Sequence, residues 1–158
     1  MSQYIDGNVK TFTAGEALAA FRRVKLSAAD TVTYSDAGEN WIGVTEQAVS
    51  NGSPVPVRLR TASGTVKMTA AGAITVNAIV YAAADGKIDD TATGQPVGQA
   101  LEAASADGDI IEVAPTCPMN TQNHIADPSG GTTVDAEARS AINSILDALE
   151  ANGIVAGS

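Results

Sequence analysis

Aromatic side chains are scarce in this 158-residue chain: one tryptophan, three tyrosines and two phenylalanines make up 4% of it. Hydrophobic residues still reach 44%, so much of the apolar content is alanine and valine. Burial free energy scales with apolar area, so such a core gains less per residue than one of Leu, Ile and Phe. A small domain with so thin a core is expected to remove further surface from water by association. Cysteine occurs once, as Cys117, which excludes an intramolecular disulfide and a cysteine metal cluster within one chain. Histidine also occurs once, as His124, and any Ser-His-Asp or Cys-His site would have to use it. It lies in a proline-rich stretch, a poor place to hold catalytic partners to a fraction of an ångström.

Positive charge is missing from most of the chain. The net charge is −9, and residues 68–158 hold only Lys87 and Arg139 against twelve acids. Such a surface repels phosphate backbones and argues against nucleic-acid binding. No long apolar run exists either. The longest, Ala73 to Ala84, is broken by Thr75 and Asn77 and is too short to span a bilayer. The start, Met-Ser-Gln-Tyr-Ile-Asp-Gly-Asn, lacks the basic and apolar regions of a signal peptide. A soluble protein made in a cytosol, without a membrane partner, is expected.

What the chain does contain is a near-repetition of itself. One block runs from Trp41-Ile-Gly-Val-Thr-Glu-Gln-Ala to Val57, and a second, about 55 residues later, from Gln95-Pro-Val-Gly-Gln-Ala-Leu-Glu-Ala-Ala to Val113. Both hold an apolar residue and glycine (Ile42-Gly43, Val97-Gly98), then a turn (Asn51-Gly52, Asp107-Gly108). Both end in an alternating strand (Val55 and Val57; Ile111 and Val113). One supersecondary unit used twice, each half covering the other's apolar face, explains this.

Short β-like runs punctuated by turn residues fill the region between residues 12 and 115. They are Phe21–Leu26, Thr31–Tyr34, Trp41–Thr45, Val55–Arg60, Thr65–Thr69, Ile79–Ala82, Gln95–Leu101 and Ile110–Val113. The fold class is therefore mainly β: a small antiparallel β-barrel or tulip-like domain with an internal two-fold repeat. Residues 1–12, polar and without periodicity, suggest an N-terminal arm. The duplicated β-domain spans 13–114. Residues 115–133, with prolines and a Gly-Gly pair, form a linker, and 134–155 a C-terminal helix. In that helix Ala138, Ile142, Ile145, Leu146 and Leu149 share a stripe. An isolated helix of that length is marginal in water, so the stripe is an expected oligomer interface, at a spacing that suits a short coiled coil.

Motifs that carry chemistry are few. Val66-Lys67-Met68 resembles the lysine-methionine tip of biotin- and lipoyl-carrier domains, but Lys67 falls inside a predicted strand; Lys87 is nearer a turn but lacks methionines. Asp85-Gly-Lys-Ile-Asp-Asp lacks the ligand ladder of an EF-hand, and a hairpin turn explains it better. Asn51-Gly-Ser also fits a turn better than a glycosylation site. No enzyme, cofactor or metal is expected. Arg58 and Arg60 alternate with Val57 and Leu59 on one strand, with Arg22, Arg23 and Lys25 placed in the equivalent region of the other half. These five are the candidate contacts to an acidic partner surface.

With both blocks laid out, and with Ala78-Ile-Val-Tyr-Ala-Ala-Ala-Asp-Gly-Lys-Ile between them, the region 12–114 resembles the phage capsid decoration, or cement, proteins. That resemblance implies a small β-barrel domain, often trimeric, on the outside of an assembled head. The partners it implies are the major capsid protein and further copies of the chain, and the function is a structural one, stabilising the shell. The helical tail makes a short head fibre or a host- or glycan-binding surface protein the first alternative; a carrier domain of an enzyme complex is the second.

Overall fold

Strands form here because β-branched residues alternate with polar ones between glycine-marked turns. The structure, a computed structural model, describes residues 7–115 and 136–151. The chain divides into two units, Met1–Cys117 and Pro118–Ser158. Among the described residues the first holds ten strands: β1 (Val9–Ala14), β2 (Arg23–Ala28), β3 (Thr31–Tyr34), β4 (Gly43–Thr45), β5 (Pro54–Leu59), β6 (Val66–Thr69), β7 (Ile79–Ala82), β8 (Ile88–Asp89), β9 (Pro96–Ala100) and β10 (Ile110–Pro115). In the second unit, helix α1 covers Ala136–Ala151, inside the expected 134–155. The expected linker beyond Pro115, with Cys117 and His124, lies outside the described residues.

Strands β1-β3-β2-β4-β5 close into a barrel, and β6-β10-β9-β7-β8 form a five-stranded sheet. The order is the same in both once β6 is matched to β1 and β10 to β5. Residue pairings show the match in register: Arg23 and Val24 face Val44 and Gly43 as Ile79 and Val80 face Gln99 and Gly98. The difference is the seam. In the first half β1 and β3 pair in parallel through Thr13–Thr31 and Ala14–Val32. In the second a single parallel bridge, Ala70 to Ile88, stands in the same place. Reciprocal Leu18–Val49 and Ile74–Ala104 hydrogen bonds repeat at 2.8–2.9 Å, as do Gly52 N–H to Ala14 O (2.7 Å) and Gly108 N–H to Ala70 O (3.0 Å). The duplication read from the sequence is therefore one strand order used twice, closed in the first barrel and left as an open half-barrel sheet, the second barrel, in the other half.

Two elements differ from the expected ones. Val9–Ala14 is a barrel strand, so the arm does not reach residue 12. Its buried Phe12 and Ala14 alternate with exposed Thr11 and Thr13, and its partner β5 lies far along the chain. The two-residue β8 was too short to carry a pattern.

Phe12, Ala14, Leu18, Val24, Val32, Val55 and Val57 fill the first barrel. The second cluster contains Met68, Ile74, Val80, Ile88, Val97, Ile111 and Val113, and it also takes in Trp41 and Val44 from the first barrel. Each fully buried Val or Ile contributes about 1.5–3 kcal/mol. The Ile42-Gly43 and Val97-Gly98 signature has a steric cause. A Cβ on Gly43 would lie 2.3 Å from the carbonyl oxygen of Arg58, and on Gly98 the same distance from that of Ala114. Each glycine lets a strand backbone approach its neighbour at matched places in the two barrels.

Gly43→Ala and Gly98→Ala are each expected to destabilise the protein by about 3 kcal/mol. Gly38→Ala, whose added methyl meets nothing within 4 Å, is the control. Urea titration measures all three, and parity between Gly98→Ala and the control would remove the close-approach explanation.

Candidate functional site

Arg23, Val44 and Arg58 lie in one row across the outer face of β2, β4 and β5. Strand alternation places these side chains away from the first barrel's interior. Outward from the barrel is not outward from the protein, because the second half covers most of the row. Arg23 is fully buried. Its Nε donates to the carbonyl of Lys87 (3.1 Å), and its Nη2 donates to those of Ala83 (2.5 Å) and Lys87 (2.7 Å). Burial draws its pKa down to about 10 against the opposing pull of Asp36, which leaves the guanidinium charged at neutral pH. Arg23 was a candidate partner contact; the structure makes it an internal tie instead.

Backbone contacts continue the junction. The amide and hydroxyl of Thr69 both donate to the Phe21 carbonyl, at 3.0 and 3.1 Å. The Gly86 amide donates to Ser35 O at 3.1 Å, and a Cβ on Gly86 would sit 2.4 Å from the Arg23 carbonyl oxygen. Gly86 has φ +70, so both space and backbone angle call for glycine.

The other four basic candidates are at least partly accessible. Lys25 pairs with Glu39, and that hydrogen bond, first among the causes, holds the Glu39 carboxyl below its ordinary value. Arg22 donates to Asp85 O at 2.9 Å and lies 5.9 Å from the Tyr34 ring centroid. Arg58 donates to Ser63 O at 2.6 Å. Arg60 donates to Trp41 O at 3.3 Å and stacks 5.9 Å from the indole centroid. Arg58 and Arg60 line a small recess together with Trp41, Val44, Val66 and Pro115. The expected pseudo-symmetric pair of basic strands is corrected here: β2 and β5 belong to the same barrel, and the second barrel has Ile79 and Ala114 at the positions of Arg23 and Arg58.

Residues weighed for chemistry occupy structural places. Lys67 stands exposed in the middle of β6. Lys87 pairs with Asp107 at 2.6 Å. Asp85 sits in a single 3-10 turn, Ala84–Gly86, and Gly52 of the Asn51-Gly52-Ser53 turn has φ +77. Among the described residues no group of three His, Cys, Asp or Glu is placed to hold a metal ion, and no helix is long and apolar enough to cross a membrane. Trp41 is 2% exposed, so its ring is a packing element rather than a platform for sugars.

Comparison with known proteins adds the decisive finding: residues 5–115 match the family described as phage cement protein. The chain belongs to that family. Its cement domain is thus a structural part of a phage head, associated with the capsid. A solved structure, the N base of the head fiber gp8.5 of bacteriophage phi29, shares the fold, with a TM-score of 0.57 and 18% sequence identity. The alignment covers 68% of this chain and 92% of that one. No curated protein matches the chain.

Strand periodicity alone did not distinguish the junction residue Arg23 from Lys25, two positions along the same strand. The available signal was the adjacent pair Arg22-Arg23, which puts one arginine on each side of β2's start. Arg23→Met keeps the aliphatic stem but removes the guanidinium donor from the Ala83 carbonyl and leaves the Lys87 carbonyl with the Ala83 amide alone, at 2.9 Å. It is expected to cost about 3 kcal/mol, against under about 0.5 kcal/mol for Lys25→Ala. Thermal unfolding compares them, and equal midpoints would mean that the tie contributes nothing.

Proposed function

We propose that the protein sits on the outer surface of an assembled capsid as a homotrimer and stabilises the shell by adding buried area across capsomer junctions. Membership in the cement family over both barrels carries this reading. The internal packing supports it: paired barrels with a covered junction make a rigid plug. Many weak contacts repeated over a lattice bind firmly through avidity. The capsid contacts assigned are Arg22, Lys25, Arg58 and Arg60, whose cations would meet an acidic patch of the major capsid protein. Self-association is assigned to the α1 stripe of Ala138, Ile142, Ile145, Leu146 and Leu149, of which Ile142 and Ile145 are 46% and 60% exposed.

A second reading, a head fibre whose base is the barrel pair, is favoured by the fold shared with the phi29 fiber base and by the helix that follows the barrels here. Both readings place the barrels against the head.

Mixing purified protein with undecorated heads and imaging them is the direct test. Saturable decoration is expected, and bare heads at saturating protein would end the proposal. Arg58→Glu with Arg60→Glu is expected to weaken decoration about tenfold at low salt, with the difference shrinking as salt rises. Deleting residues 134–158 is expected to lower the oligomer mass in light scattering; an unchanged mass would remove the helix from the interface.

A further inference from the structure

Arg58 and Arg60 keep their charge unanswered in a chain whose acids outnumber its bases, 18 to 9. Among the described residues, Lys10, Lys25 and Lys87 each pair with a carboxylate, those of Asp30, Glu39 and Asp107. Neither arginine has such a partner, and both are held by uncharged groups instead. Nη2 of Arg58 donates to Ser63 O at 2.6 Å. The turn carrying that carbonyl is closed by the Ala62 amide, which donates to Leu59 O at 2.9 Å. Nη1 of Arg60 donates to Trp41 O at 3.3 Å, with the guanidinium 5.9 Å from the indole centroid. A carbonyl and a π face orient these heads without neutralising them. Each head spends one donor inside the protein and keeps the rest.

Both heads line one recess, whose apolar side is made by Val44, Val66 and Pro115. Trp41 lines it too, and its indole Nε1 is buried without a hydrogen-bond partner. The two halves of the domain differ at these positions. Trp41 stands two residues before Gly43, where Pro96 precedes Gly98, and Arg58 is matched by Ala114. The repeated strand pattern accounts for the strands in both halves. It does not account for a tryptophan and an arginine pair gathered on one of them.

We propose that this recess is a carboxylate socket: an aspartate or glutamate side chain of the capsid surface seats in it, held by the Arg58 and Arg60 guanidiniums. The proposal rests on the capsid contact given above and assigns its binding to one concave site with one ligand group. Charge complementarity selects that group. Apolar walls lower the local dielectric, so an anion there feels more attraction than on an open surface. Planar guanidinium forks match the two oxygens of a carboxylate, which a lysine point charge does not. Nucleic-acid phosphate is a poor source, because residues 68–115 set Lys87 alone against seven acids. A plain charge patch would work equally well with lysine at both positions, whereas a socket needs the forks.

Trp41 is the only tryptophan, so its fluorescence reports occupancy of the recess. The full chain is titrated with a short peptide bearing one central glutamate, and with the same peptide bearing glutamine. A saturable change is expected with the glutamate peptide. It should be about tenfold weaker with glutamine, and roughly fivefold weaker when Arg58→Lys and Arg60→Lys are combined. No saturable change, an equal response to glutamine, or unaltered affinity in the lysine variant would overturn the socket. Undecorated heads test the source of the carboxylate. The lysine variant is expected to need roughly fivefold more protein than the wild type for half-saturation. Equal decoration reduces the arginines to a charge patch, which defeats the socket and leaves capsid binding intact. Bare heads with wild-type protein end the capsid reading and the capsid as source, while the peptide titration still decides whether the recess takes a carboxylate. An oligomer mass that falls in the lysine variant would give the recess to a second copy and also defeat the proposal.

Discussion

The buried guanidinium of Arg23 ties the two barrels together. It is a charge taken out of water, a costly burial that acceptors offset, and they meet its Nε and Nη2 while Nη1 is buried without a partner. Here the acceptors are backbone carbonyls of a tight turn, Ala83 and Lys87, which cannot move without unravelling the β7–β8 hairpin. The same turn places Gly86 against the Arg23 backbone. Position, charge and close approach therefore set one relation between the barrels. Around that point Val44 and Trp41 extend the second cluster across the junction, so the apolar and polar parts of the interface support each other.

A core made mostly of valine, alanine and isoleucine accounts for the use of two modules. One barrel of this composition encloses few large side chains, and its outer face has apolar positions of its own. Covering that face with a second barrel turns exposed area into buried area at no cost in new sequence motifs. The same logic explains why the second barrel's seam is held by one parallel bridge where the first has a paired strand. Packing against the first barrel, with the Thr69–Phe21 hydrogen bonds at its edge, supplies part of what a closed ladder would.

Function in a cement-family protein follows from shape, and the chain's conspicuous residues serve shape. Its tryptophan is a core residue, Lys87 is an ion-paired turn residue, and the acid-rich Asp85 segment is the turn that receives Arg23. Strand positions and their alternation were legible from local pattern: β3 and β7 coincide with the expected Thr31–Tyr34 and Ile79–Ala82. β1 was not, because its residues acquire a role only through pairing with β5, a contact between distant parts of the chain. Among the basic candidates, alternation assigned Arg58 and Arg60 correctly to the barrel exterior. It could not tell that the exterior beside Arg23 is occupied.

By itself the amino-acid order determined the duplication, the β class, the glycine turns and the resemblance to cement proteins. All of these are written in local composition and in a period that backbone sterics and side-chain alternation enforce. Only the tertiary structure decided which outward-facing residues are outward at all. That depends on one barrel's hairpin tip seating on the other's face, a contact between segments some 60 residues apart whose geometry no local pattern encodes.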